Sequence, residues 1–172
     1  MMNYVSQNNK KMVSKKQGGF TLIEFSIVVA IAAVLLVVVL QVAEGVKYQT
    51  KQESLIKQMQ QITTATERWK KGRPNKNGVS MSVLCATGSK LLDASVCGTA
   101  KDGKAANAFG GDITVVANTT NPSLVDITMA GLPADYITDL ADTLAPMTTG
   151  RCQTATGCTT ITVTGSSVKG TM

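Results

Sequence analysis

At 172 residues the chain has room for one ordinary globular domain and a membrane element, which excludes two full domains. Its formal charge of +6 suggests an acidic partner, but Lys10, Lys11, Lys15 and Lys16 lie in the first nineteen residues, which contain no acid. Without that segment Lys+Arg falls from 17 to 13 against 11 acids, a net of about +2, so the basic character belongs to the N-terminal stretch and direct nucleic-acid binding is not expected.

After that basic stretch, Gly18-Gly19 opens an apolar run from Phe20 to Gln41 in which nothing is charged between Phe25 and Leu40. About twenty such residues span a hydrocarbon core of roughly 30 Å, and the lysines on one side predict an N-terminus on the cytoplasmic face. A secretory signal has an apolar region of only about 7–15 residues and ends in a small-x-small site. Here the run is longer and the nearest candidate, Gln41-Val42-Ala43, has glutamine where a small residue belongs, so an uncleaved anchor fits better.

Glu24 is the anomaly in this run. A carboxylate at the centre of a bilayer helix costs roughly 2.5–3.5 kcal/mol, and such residues are functional candidates by default. The plain alternative is that, near a helix N-terminus, the carboxylate gains from the macrodipole and reaches toward the headgroups. A simple single-pass anchor leaves GGFTLIE unexplained.

Beyond Gln41 the pattern becomes one-sided, with Val42, Val46, Leu55, Ile56, Met59, Ile62, Thr66 and Trp69 recurring at helical spacing. No proline intervenes before Pro74, and Gly72 with Asn75 to Gly78 supplies the stop. A helix from Phe20 to Lys71 would run about 75–80 Å at about 1.5 Å per residue, with Gly45 as its weak point. Arg68, Lys70, Lys71, Arg73 and Lys76 read as a solvated helix end, where cations suit the macrodipole.

From Val79 the chain is rich in Gly, Thr, Ser and Ala. A short helix is expected around Lys90–Ala94. Strands are expected at Asp112–Ala117 and Leu124–Met129, a hairpin around Asn118–Pro122, and a third strand at Thr159–Thr164. Pro133 to Leu144 suits a helix with proline in its first turn. A small antiparallel sheet laid over the second half of the long helix makes an α+β architecture. Gly110-Gly111 lacks the lysine and serine of a phosphate loop and reads as a tight entry to a strand.

Four cysteines, Cys85, Cys97, Cys152 and Cys158, all follow the apolar run, and an even count on the non-cytoplasmic side reads as two disulfides. Neither pair has CxxC spacing and the chain has no histidine, which disfavours zinc. Three pairings stay open; the short spacings favour Cys85 with Cys97 and Cys152 with Cys158. With no histidine, no framed pair of carboxylates and no nucleophile beside a base, an enzyme is not expected, nor a cofactor.

Gly19-Phe20-Thr21-Leu22-Ile23-Glu24, followed by Phe25 and an unbroken apolar helix, resembles the leader junction of type IV pilins and related pseudopilins. The resemblance implies a basic leader, 1–19, cut after Gly19 by a prepilin peptidase that also methylates the new amino terminus at Phe20. It further implies a filament-core half of the helix, 20–41, an amphipathic half, 42–72, and a disulfide-stabilised head, 73–172: the type IV pilin fold. In such a filament Glu24 of one subunit meets the Phe20 amine of a neighbour; breaking one partner of a buried pair costs about 3–5 kcal/mol. The partners implied are copies of the chain itself, the prepilin peptidase, the inner membrane before assembly, and an inner-membrane platform with its ATPase.

Gln41 stands where many type IVa pilins carry proline, and the nineteen-residue leader is long for that subclass. Both point toward type IVb, although type IVb chains often start with Met or Leu rather than Phe. Asn107-Ala-Phe-Gly-Gly111 is similar to type IVb pilins of the thin-pilus, conjugation-associated kind. The resemblance thus implies a pilus subunit for adhesion or cell–cell contact, with a type II secretion pseudopilin or a plain membrane-anchored surface protein as alternatives. Major pseudopilins bind calcium in their C-terminal region, but Asp135, Asp139 and Asp142 at helical spacing do not form a tight oxygen cage and read as solvated or capping, so no metal is expected.

Overall fold

The computed structural model describes Gly19–Met172; residues 1–18, on which most of the expected leader falls, lie outside the described residues. Its elements are a long helix α1 (Leu22–Lys70), short helices α2 (Met81–Leu84) and α3 (Ala94–Cys97), strands β1 (Ile113–Ala117) and β2 (Val125–Met129), helix α4 (Ile137–Leu144) between two 3-10 turns, and strands β3 (Ile161–Thr164) and β4 (Ser167–Thr171). Contacts divide the chain after Glu44, with α1 passing through the boundary.

In the first unit α1 is built largely from Val, Ile, Leu and Ala, and its side chains are exposed on every face. The β-branched residues are middling helix formers in water. In hydrocarbon the balance changes, because every backbone group has to be satisfied within the segment and a helix does this alone. Among the described residues α1 is the helix long and apolar enough to cross a membrane.

In the second unit α1 buries Leu55, Met59, Ile62, Ala65 and Thr66, which fall on one face at spacings of three and four. Val42 and Val46, expected in the same stripe, are exposed. An apolar stripe is buried only where another element covers it, and here burial begins at Leu55. The helix ends as the Arg73 N–H turns back to the Lys70 C=O at 2.7 Å. Gly72 supports that turn with a left-handed φ of +82°, which costs glycine little.

The sheet is antiparallel throughout, in the order β1-β2-β4-β3. Its inner face supplies Ile113, Val115, Ile127, Met129 and Val168 to the same core as Leu55, Met59 and Ile62. Gly170 of β4 faces the methyl groups of Met172, Thr148 and Met59, which a Cβ there would meet at 3.3–3.5 Å.

Three local expectations are corrected. Lys90–Ala94 is not a helix; the helical turn begins at Ala94, after the extended Asp93. The Pro133–Leu144 helix is divided into a 3-10 turn, Ala134–Tyr136, and α4. Lys76 is not a solvated cation: it is buried, its ammonium 2.5 Å from the Glu67 carboxylate and its backbone N–H donating to the Pro122 C=O. Burial of a lysine requires such a partner. The remaining members of that cluster are more open, with the Arg73 guanidinium stacked over Trp69 at 4.3 Å.

Candidate functional site

The junction at the start of α1 is built from Gly19 to Phe25. Thr21 precedes the first helical residue, and its hydroxyl accepts the Glu24 N–H at 3.3 Å. The Glu24 carboxylate returns to accept both the Thr21 backbone N–H and its hydroxyl at 2.9 Å. This is a capping box: two donors left orphaned at a helix start are satisfied reciprocally by residues three apart. Thr21 is therefore a site residue that the reading by charge alone missed, although Thr-x-x-Glu at the head of an apolar run is its sequence signal.

Phe20 is 83% exposed, and Gly19 just before it has open space around it, since a Cβ built there meets nothing within 4 Å. The chain's own packing thus places no demand for glycine at 19. Of the large apolar residues that follow, Leu22, Ile23, Phe25, Val34 and Leu36 are each more than half exposed in the single chain. A surface of that extent marks a membrane or protein contact.

In the second unit Cys85 pairs with Cys97 and Cys152 with Cys158, with Cα atoms 5.6 and 5.9 Å apart. The first bridge ties the end of α2 to α3, and the second closes a seven-residue loop ahead of β3. Among the described residues no group of three His, Cys, Asp or Glu side chains is placed to hold a metal ion.

The acidic residues of the α4 region are more engaged than expected. Asp139 accepts the Tyr48 hydroxyl at 2.6 Å and the Gln52 amide at 3.2 Å, joining α4 to α1 within the second unit. Asp142 accepts the Ala155 N–H at 2.7 Å. Tyr48 also stacks on Tyr136 at 4.2 Å between centroids. Burial raises the Tyr48 phenol above its ordinary range, and the bond to Asp139 adds to that rise by stabilising the protonated form.

Asn107 anchors the approach to β1. Its carbonyl oxygen accepts the Phe109 and Gly111 N–H groups at 2.9 Å, and its amide donates to the Ala130 C=O at 2.6 Å. Gly111 lies so close to Ala130 that any Cβ would collide with that carbonyl oxygen. The two glycines do open a strand tightly, but the residue that organises the turn is Asn107.

Residues 14–40 match the family described as the prokaryotic N-terminal methylation motif. No curated protein matches the chain, and no solved structure matches it. The motif spans the Gly19–Phe20 junction, Glu24 and most of the exposed apolar helix. It supports a type IV pilin-like or pseudopilin-like substrate of prepilin peptidase, held in the membrane by its apolar helix, and with the α+β fold it indicates a structural protein rather than an enzyme.

Proposed function

We propose that the chain is a prepilin of the type IVb kind, cut after Gly19, N-methylated at Phe20, and polymerised as Phe20–Met172 into an extracellular pilus that mediates adhesion or cell–cell contact such as conjugation. The observation that carries this reading is the junction itself: an open glycine, a phenylalanine and a glutamate four residues on, at the head of a helix whose large apolar side chains from Leu22 to Leu40 are exposed. That surface is covered first by lipid and then by the helices of neighbouring copies, so extraction from the bilayer exposes little apolar area to water.

In this reading Glu24 changes partners. Before cleavage Phe20 carries no free amine, and the Glu24 carboxylate is held by Thr21. After cleavage it pairs with the N-methylated amine of a neighbouring Phe20, which fixes the axial register of subunits. The disulfides stabilise a small head outside the cell by about 2–4 kcal/mol each. Mass spectrometry of the mature N-terminus, with electron microscopy of expressing cells, tests the proposal. An intact leader would overturn it, and short periplasmic filaments in place of long surface ones would reassign the chain to the pseudopilins.

A further inference from the structure

Asn77-Gly78, in the turn that follows α1, is the one Asn-Gly pair of the chain. Both residues are exposed, and they hold the two central positions of a β-turn in which the Val79 N–H donates to the Lys76 C=O at 3.1 Å. Gly78 has a φ of +83°, the left-handed value that the third position of a type II turn requires. Glycine takes that value without strain and has no Cβ to crowd its nitrogen.

An asparagine cyclises when the backbone nitrogen of the next residue reaches its side-chain Cγ, which calls for an unengaged amide and an unengaged N–H. On this point the structure separates Asn77 from the other asparagines of the described residues. Asn75 is followed by Lys76, whose N–H donates to the Pro122 C=O at 2.7 Å. Asn107 is followed by Ala108, whose N–H donates to the Gln58 side chain at 3.0 Å, and its own amide is bonded through both oxygen and nitrogen. The Asn118 side chain is held by Asp126, Thr120 and Asn121. Asn121 precedes Pro122, which has no N–H. At Asn77 the backbone N–H donates to the Asn75 side chain at 3.1 Å, but among the described residues neither its amide nor the Gly78 N–H has a hydrogen-bond partner.

We propose that Asn77-Gly78 is a self-modification site at which the chain deamidates through a cyclic imide. The Gly78 nitrogen gives up its proton to water and attacks the Asn77 Cγ, closing a five-membered succinimide. The Cγ–Nδ2 bond breaks, and the amide leaves as ammonia. Water then adds to either imide carbonyl: opening at Cγ leaves aspartate, and opening at the main-chain carbonyl leaves isoaspartate, in which the chain runs through Cβ. The net reaction exchanges ammonia for water and needs no enzyme, oxidant or cofactor. Both central residues already face water, so ring closure has only the hydrogen bond of the turn to open.

Either product puts a carboxylate into the turn beside Lys76, and isoaspartate also lengthens the main chain there by one carbon. The turn joins two fixed points. One is Lys76, with its ammonium on Glu67 and its N–H on Pro122; the other is the buried Val79. The modification therefore acts on the end of α1 and the Pro122 loop as well as on the surface. Its accumulation, unlike its chemistry, rests on the filament reading, since a head held outside the cell is beyond intracellular repair and replacement.

The test follows the full-length protein in detergent at mildly alkaline pH, beside a peptide of residues 73–80, until half of the peptide has deamidated. Peptide mapping by mass locates the change, and labelling with a protein isoaspartate methyltransferase measures isoaspartate. The expected result is conversion at Asn77 within several-fold of the peptide's rate, faster as pH rises because the nitrogen attacks without its proton, with Asn75, Asn107 and Asn118 intact. Asn77→Gln would need a six-membered ring, and it is expected to fold alike and to lose the label. An unmodified Asn77 beside the half-converted peptide would overturn the proposal, as would equal conversion at the other asparagines or undiminished labelling of Asn77→Gln. Filaments from a chain that never converts defeat this inference alone. Conversion in a chain that forms no filaments supports it while defeating the pilus reading.

Discussion

Thr21 and Glu24 hold each other at the start of α1: the Glu24 N–H donates to the Thr21 hydroxyl, and the Glu24 carboxylate accepts the Thr21 N–H at 2.9 Å. The same carboxylate is the residue proposed to meet a neighbour's amine after cleavage. Capping and subunit registry are separable, because glutamine serves a capping box as well as glutamate but carries no charge.

We expect Glu24→Gln to be cleaved and inserted normally yet absent from sheared filaments, and Glu24→Ala to behave alike. Immunoblots of membrane and sheared fractions measure this. Normal filaments from the glutamine variant would show that capping is the whole role of Glu24. Thr21→Val, which removes the hydroxyl cap, should cost the helix start about 1 kcal/mol and reduce filament yield without abolishing it.

Gly19 is constrained by nothing in the chain's own packing. A bulky substitution, Gly19→Leu, should therefore leave the fold intact and block leader removal. The readout is the mass of the membrane-extracted chain. Complete processing of that variant would place the peptidase's requirement elsewhere.

Asn107→Ala should be among the most damaging single changes in the head. It strips the partners from the Phe109 and Gly111 N–H groups and from the Ala130 C=O, each unsatisfied group costing about 1–3 kcal/mol when buried. We expect a loss of about 2–4 kcal/mol in denaturant unfolding of the detergent-solubilised chain. Gly111→Ala should act at the same place by steric collision with Ala130.

The pairing of Tyr48 with Asp139 makes a pH prediction. Because the folded phenol titrates above its unfolded value, the stability it contributes is fully present below the unfolded pKa, about 10, and is lost as pH rises through the folded value. Unfolding curves should therefore separate the native chain from Tyr48→Phe by a constant amount from pH 6 to about 9, with the gap closing only in stronger alkali. Alkaline titration of the tyrosinate absorbance should lose its last component in Tyr48→Phe. A gap that already narrows between about pH 7 and 9 would contradict the assignment.

Glu67→Gln should destabilise the head by about 1–2 kcal/mol, because it leaves the buried Lys76 ammonium with a neutral partner; the figure is discounted since Glu67 is itself more than half exposed. Lys76→Met, which removes the buried charge together with its need for a partner, should cost less than Glu67→Gln. Chemical denaturation of both variants compares them directly.

Much of this protein is written in local sequence. The apolar run after Phe20, the helical spacing of Leu55, Met59 and Ile62, and the alternation in Ile113–Ala117 and Val125–Met129 declare a long helix and an antiparallel sheet, because period and hydrophobicity are properties of neighbouring residues. The α+β class and the start of the candidate site follow from them. The Thr-x-x-Glu spacing at the head of the apolar run is equally local, and it encodes the reciprocal cap that Thr21 and Glu24 form.

Tertiary structure alone decided the rest. Ser167–Thr171 has a single large apolar residue, Val168, and contains Gly170, so nothing in its own pattern declares a strand; it becomes one because β2 and β3 bond to it on either side. Lys76 reads as a surface cation until Glu67 and Pro122 enclose it. Asp139 reads as a solvated helix residue until Tyr48, ninety-one positions earlier, donates to it. Burial and hydrogen bonding between distant segments are set by which elements meet, and a polar residue in a loop carries no local sign of the partner that will satisfy it.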